Sequence, residues 1–296
     1  MNNTIKAHLM LFSTALIGGF NYSISKMVMP VYIQPSSIVV SRGIVSIFIF
    51  WGISFLFVNE KVEKKDMARI FLSALFGIAL NQLLFYEGLN LTTPINASLM
   101  MTVTPIIVLI ISSFIIREEK ISITKIIGVL LGTTGTVLLL LHSGRGKVEG
   151  LFTGDILVLL NAIAWACFLV TVKPLMHKYH PFTILKWIFL LGFFMVLPFG
   201  YDDFIHTRWG SLTAEAWWAF GFIIFFATLC SYYLNSAVLK YVNPSIAGSY
   251  IYLQPLLAAF IAILWGKDRF DVEKLGYLVI ILSGVYLVSF RNTRKA

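Results

Sequence analysis

Charge is what this sequence has least of. Charged residues occupy 12% of its 296 positions, where a soluble globular chain carries roughly a quarter because its surface must face water. Too few charges remain to coat even one domain, so most of the surface must face lipid. Cysteine is nearly absent as well. Cys167 and Cys230 both fall inside apolar runs, with neither a metal-ligand spacing nor the pattern of a disulfide framework, and they read as small buried apolar residues. There is no HExxH, no GxSxG and no carboxylate dyad, and His8, His142, His177, His180 and His206 all lie at span ends or in loops. An integral-membrane enzyme would need such a nucleophile, ligand set or acid pair, so neither catalysis nor a cofactor is expected. A nucleic-acid partner is excluded by charge distribution: the net +9 sits in short clusters such as Lys61, Lys64, Lys65 and Arg69, with no long basic stripe.

Apolar residues are abundant instead, at 58% with a mean hydropathy of +0.84. Crossing the hydrocarbon core takes about 20 consecutive apolar residues. Ten segments meet that length: 8–28, 36–58, 68–88, 94–116, 123–141, 154–174, 182–200, 215–240, 244–266 and 273–291. The first is too long for a signal-peptide core and ends without a small-residue cleavage pattern, so it reads as a retained span. Segment 182–200 departs most from the pattern, with Lys186 inside it and Pro198 near its end. With the N-terminus inside, 14 Lys and Arg fall on the inner side and 6 in outer loops, while Lys26, Arg42 and Lys186 lie within or at the edge of spans. That excess places both termini in the cytoplasm. The fold class expected is all-α integral membrane with ten transmembrane helices, in the cell (inner or plasma) membrane, with membrane lipid as its surroundings and a monomer or homodimer as its assembly.

The chain also repeats itself. Pro94, Ala97 and Pro105 recur as Pro244, Ala247 and Pro255 at a constant offset of 150, which also pairs Leu89 with Leu239 and Arg117-Glu118 with Lys267-Asp268. Lys26 and Lys173 correspond at an offset of 147. The duplication divides the chain into 1–145 and 146–296. Five spans per copy is an odd number, so the second copy enters the membrane from the opposite side. One unit then builds both an outward and an inward gate, as inverted-repeat transporters do. A channel would want a pore ring or filter loop, usually from an oligomer, and a receptor or assembly subunit gains nothing obvious from inversion. The expected partner is a small-molecule substrate.

These residues carry a family likeness. The run from Asn81 through Glu87, Gly88, Pro94 and Ala97 to Leu99, then Thr104-Pro105 and Arg117-Glu118-Glu119, resembles the drug/metabolite transporter superfamily, EamA type. The second copy resembles the same pattern more loosely, and Glu87 stands where an apolar residue is usual. The resemblance implies two inverted five-helix halves around a central cavity with alternating access. The superfamily's members export or import amino acids, nucleobase-like compounds, sugars or other small metabolites, and efflux of a small metabolite such as an amino acid or related compound is the expectation here.

An ionisable side chain within a span is costly enough to suggest a role. Glu87, near the outer end of the third span, is the one carboxylate so placed, and proton coupling would rest on it alone. Lys26 and Arg42 reach a similar depth and could pair with Glu87 as an outer gate, or bind an anionic group of the substrate. Snorkelling is the plainer reading, and it suits Lys26 better than the deeper Arg42. Substrate contact is expected from polar and aromatic residues at mid-depth: Asn21, Tyr22, Asn81, Gln82, Asn96, Ser98 and Thr102 in the first copy, and Asn161, Trp165, Tyr232, Asn235, Ser249, Tyr252 and Gln254 in the second, with Arg42 and Lys186. For any one of them, helix-to-helix hydrogen bonding is the competing explanation. Pro105 and Pro255 each remove a mid-span hydrogen bond and are expected to kink the helix where it shapes the cavity. Gly128, Gly132 and Gly135 form a small-residue face suited to close helix packing. Trp209, Trp217 and Trp218 fit an interfacial belt.

Overall fold

The computed structural model describes residues 3–58, 60–115, 121–143, 152–257 and 272–290. The paired turns Arg117-Glu118 and Lys267-Asp268, the boundary at 145/146 and the end of the 244–266 segment lie outside the described residues. Every regular element among the described residues is helical. They are α1 (Asn3–Val28), α2 (Pro35–Phe57), α3 (Lys64–Leu91), α4 (Pro94–Met101), α5 (Thr104–Ile115), α6 (Ile123–Ser143), α7 (Phe152–Lys178), α8 (Pro181–His206), α9 (Ala214–Val238), α10 (Pro244–Ser249) and α11 (Val272–Phe290). Five of them, α2, α3, α7, α8 and α9, are long and apolar enough to cross a membrane by themselves. Their outward faces carry large apolar side chains such as Phe55 at 88% and Phe199 at 72% exposure. A water-soluble surface would not hold such a density of them; acyl chains would.

Local chemistry sets the helix starts. Pro35, Pro181 and Pro244 each stand in the first helical turn, where the missing N–H has no intrahelical acceptor to lose. The segment 94–116 is not one helix, as expected from hydropathy, but two: α4 stops at Met101 and α5 begins at Thr104, with Pro105 in its first turn. The second copy breaks at the matching place, where α10 gives way to a 3₁₀ turn at Tyr250–Tyr252 just before Pro255. A second pair of irregularities matches too. Helix α3 is π-helical over Leu75–Leu80, and α9 over Ile223–Cys230.

The packing has an exchange symmetry. Helix α2 lies along α8, α6 along α11, and α5 against α10; crosswise, α3 packs on α7 and α1 on α9. Interchanging the two copies leaves that set of neighbours unchanged, as a two-fold axis relating the halves requires. The α6–α11 contact is a close one. A Cβ on Gly284 would stand 2.6 Å from Gly128 O, and one on Gly128 would stand 2.8 Å from Gly284 O, so the backbones touch as in small-residue helix pairs. The glycine face of α6 is therefore filled within the chain.

Two apolar clusters occupy the ends of the bundle. One gathers Phe50, Ile78, Phe168, Phe189 and Tyr232, and the other Tyr22, Ile38, Tyr86, Leu89 and Val196. Trp165 touches both. The polar cavity lies between them.

Candidate functional site

The cavity of about 120 Å³ is walled by α1, α2, α3, α7 and α9, with Met101 at the end of α4 and α10 and the turn after it closing the remainder. That is well beyond the space a single water needs, so the cavity can hold a small solute.

The two π-helical segments build its polar walls. In α3, Asn81 N–H bonds Ile78 O instead of Gly77 O, and the carbonyl of Gly77 accepts from Tyr232 Oη at 2.6 Å. In α9, Ser231 N–H bonds Phe226 O and Thr228 O instead of Ala227 O, and Ala227 O accepts from Arg42 Nη2 at 3.4 Å. Gly77 and Ala227 are 150 residues apart, so each copy opens the same carbonyl to a cavity side chain. Single-turn π features of this kind recur at functional sites because they release backbone groups.

On the axis itself, Gln82 Nε2 donates to Tyr232 Oη at 3.2 Å across a sequence separation of 150, so these are equivalent residues of the two copies. Asn81 Oδ1 is a second acceptor for that hydroxyl, at 3.1 Å. Asn161 Nδ2 donates to Asn81 O at 2.7 Å. Nearby, Tyr22 Oη donates to Gln254 Oε1 at 3.2 Å, and Gly18 makes room for that amide, since a Cβ there would lie 2.5 Å from Gln254 Nε2. Two buried acceptors on the wall, Gln82 Oε1 and Asn161 Oδ1, have no donor among the described residues.

Arg42 is the one formally charged side chain on the wall among the described residues. It is 4% exposed, donates from Nε to Thr228 Oγ1 at 2.7 Å, and holds its guanidinium 4.9 Å from the Tyr86 ring centroid. Among the described residues it forms no ion pair.

The other sequence-predicted residues are distributed as follows. Asn21, Tyr22, Arg42, Asn81, Gln82, Asn161, Trp165, Tyr232, Asn235 and Gln254 line the cavity. Asn96 lies outside it, its Nδ2 reaching Asp155 at 3.4 Å. Ser98 and Thr102 are buried beyond the wall. Ser249 returns its hydroxyl to Ile246 O. Tyr252 turns away to Thr133 Oγ1 at 2.7 Å and Val129 O at 3.1 Å on α6. Lys186 sits between α2 and α8, bonded to Ser54 Oγ at 2.9 Å and placed 5.0 Å over the Trp51 ring. Pro105 and Pro255 mark the helix breaks rather than the wall itself.

Neither Lys26 nor Arg42 pairs with Glu87 among the described residues. Lys26 Nζ instead caps the end of α3 at Asn90 O, 2.9 Å away. Lys173 Nζ, its counterpart, caps the end of α9 at Leu239 O, 2.6 Å away, and also bonds Val242 O in the turn beyond it at 2.9 Å. Both ammonium groups meet the carbonyl end of the third helix of their own copy, where the helix dipole favours a cation. Glu87 is half-buried on α3.

The wall residues missed from sequence include Thr14, Gly18, Phe85, Ser231 and Tyr250. A usable signal was present. Thr14 and Gly18 stand 147 residues before Asn161 and Trp165, while Ser231 stands 150 after Asn81 and Phe85 stands 150 before Asn235.

Comparison with known proteins shows the same duplication. The model of the EamA-like transporter family matches twice, at residues 5–141 and 152–290. The uncharacterized transporter YetK of Bacillus subtilis is 24% identical over 87% of this chain and 83% of its own length. A WAT1-related protein of Arabidopsis thaliana is 23% identical over 90% of this chain and 78% of its own. A solved crystal structure superimposes with a TM-score of 0.77 at 16% identity, over 97% of this chain and 98% of that one, which supports the fold.

Proposed function

Because the chain belongs to the EamA-like transporter family, a family of membrane transporters, we propose that it exports a small polar metabolite by alternating access, with the two copies acting as inverted five-helix repeats of a ten-span protein. The observation that carries this reading is the position of the cavity. It lies on the axis that relates the copies, and equivalent residues, Gln82 and Tyr232, meet across it. A rocking motion about that axis would expose the same cavity first to one side and then to the other. Both termini would lie in the cytoplasm. The repeats would be 1–145 and 146–296.

Contacts at opposite ends of the α2–α8 pair serve as the gates. At one end Lys178 Nζ binds Glu63 Oε1 at 2.7 Å and Asp66 Oδ2 at 2.6 Å. At the other, Ser37 Oγ meets Thr207 Oγ1 at 2.8 Å. The test replaces Cys167 and Cys230 by Ala and installs cysteines at 63 and 178, or at 37 and 207. Each oxidised pair should stop metabolite exchange in proteoliposomes, and reduction should restore it. Exchange that persists with both pairs fully cross-linked would falsify alternating access.

A further inference from the structure

We propose that Arg42 is the anchor for a substrate carboxylate, and that the cavity selects small monocarboxylates bearing a hydrogen-bond donor near the acid group. The inference rests on the transport reading above and names the substrate class of the same cavity.

The argument begins with an imbalance. A guanidinium that is 4% exposed has left water, and burying it without a counter-ion is costly. The chain has 14 acidic residues, yet none pairs with Arg42 among the described residues. What it has instead is weaker: a threonine hydroxyl, one long carbonyl contact and the face of Tyr86, the last an attraction of cation–π type. Nε and Nη2 commit one edge of the fork to adjacent groups of α9. The other edge, Nη1 with the second Nη2 proton, has no acceptor among the described residues, and a carboxylate takes two parallel N–H groups of that kind.

The donor requirement comes from the same wall. Gln82 Oε1 and Asn161 Oδ1 are buried acceptors without a described donor. Their amides are oriented by the bonds their nitrogens make, Gln82 to Tyr232 and Asn161 to Asn81 O, so the oxygens keep their places. Both oxygens are closed off in this conformation, so a substrate hydroxyl or ammonium would satisfy them once the wall side chains shift aside. A buried acceptor discriminates strongly against an analogue that lacks the donor, because the acceptor is then stranded. Among the described residues no carboxylate lines the cavity, so no counter-charge there favours a cationic solute. A purely structural Arg42 would brace the π-helical turn of α9 and leave these acceptors unexplained.

The experiment uses the full chain purified in detergent. Binding of lactate, alanine and a panel of hydroxy and amino monocarboxylates of two to six carbons is measured by calorimetry against methyl lactate, alaninamide and propionate. At least one panel acid should bind, with its ester or amide weaker by tenfold or more. Arg42→Gln should weaken that acid by about 10- to 100-fold, the loss of a hydrogen bond to a charged group, and Arg42→Lys should recover part of it. Gln82→Leu and Asn161→Leu should weaken the panel acid by more than they weaken propionate. Thr228→Val removes the brace but keeps the charge, so it should preserve the preference for acid over ester.

Binding of no panel acid, equal binding of acid and ester, or an Arg42→Gln protein that binds the acid like the parent overturns the inference. If Arg42→Gln fails to fold, the Arg42→Lys and Gln82→Leu results decide. Counterflow of the labelled acid in proteoliposomes is read separately. Arg42-dependent binding without counterflow would leave the recognition standing and remove transport. Counterflow of a neutral solute with no acid binding would do the reverse.

Discussion

Replacing Tyr232 by Phe tests whether the contact across the axis holds the halves together. The ring would stay where it is, 5.1 Å from Phe189, 5.7 Å from Trp165 and 5.9 Å from Phe168 between centroids, so packing is preserved and the oxygen alone is lost. Its removal strands Gln82 Nε2 and Gly77 O, both of which it now satisfies. Gly77 O cannot return to the helix ladder, because Asn81 N–H is already bonded to Ile78 O. A stranded buried group costs about 1–3 kcal/mol, less where cavity water can reach it, so the two together should cost about 2–4 kcal/mol. At a few degrees per kcal/mol for a large domain, unfolding in detergent followed by tryptophan fluorescence should shift down by about 5–10 °C. A cycle with Gln82→Leu should give a coupling of about 0.6–1.7 kcal/mol, the range for hydrogen bonds between membrane helices. A Tyr232→Phe protein within about 0.5 kcal/mol of the parent, with no coupling to position 82, would show that the contact contributes little and that the axis is held by apolar packing.

Two further outcomes follow from the helix ends. Lys173→Met removes two short bonds, to the end of α9 and the turn beyond it, and should cost about 2–3 kcal/mol, whereas Lys26→Met removes one bond to the end of α3 and should cost about 1 kcal/mol; thermal unfolding that ranks the two in the opposite order would contradict the cap assignment. In the turn before α8, burial and then the Lys240 ammonium hold the His180 imidazole below its ordinary value, against an opposing pull from Glu60, and its Nδ1 accepts from Phe182 N–H at 3.3 Å as the helix cap. A histidine depressed in the fold contributes stability that is complete above its unfolded pKa of about 6.5 and is lost as pH falls from there toward the folded value. Unfolding temperature measured from pH 7.5 to 5.0 should therefore drop below about pH 6.5. His180→Asn, which caps without titrating, should flatten that part of the profile, and an unchanged slope would assign the acid sensitivity elsewhere.

Much of the helical architecture was legible because lipid imposes a simple rule: each long apolar run must close its own backbone hydrogen bonds. Hydropathy therefore located α2, α3, α7 and α9 to within a few residues, and the start of α8, which runs on past the expected end at 200 to His206. It could not show the break between α4 and α5, since Thr102 and Val103 are no less compatible with a span than their neighbours, although Pro105 marked the place. The π-helical turns at 75–80 and 223–230 left no compositional trace, because a π turn is a change of hydrogen-bond register rather than of residue type. That is why the sequence suggested a gate or ligand contact for Arg42 but not its partners Thr228 and Ala227. Polar residues such as Asn96, Ser249 and Tyr252 were at the right depth and pointed elsewhere. Depth follows from position in a run, whereas facing depends on the rotation of each helix, which the packing of its neighbours decides.

The copies share their backbone devices and differ in the side chains they bring to the cavity. Both have a π-helical third helix with an opened carbonyl at Gly77 or Ala227, a broken fourth helix, and a lysine capping the third. Yet Asn81 corresponds to Ser231, Gln82 meets its equivalent Tyr232 across the axis, Phe85 corresponds to Asn235, and Thr14 to Asn161. The charge is the most unequal element: Pro35 and Pro181 open equivalent helices 146 residues apart, which sets the buried Ile188 opposite Arg42. Gates that work alternately need the same mechanical parts at both ends, because each must do what the other does from the opposite side. The substrate touches both halves at once, so the recognition chemistry need be present only once. Under the proposed mechanism, selection on movement would keep the helix breaks paired, while selection on the solute would leave the walls free to diverge.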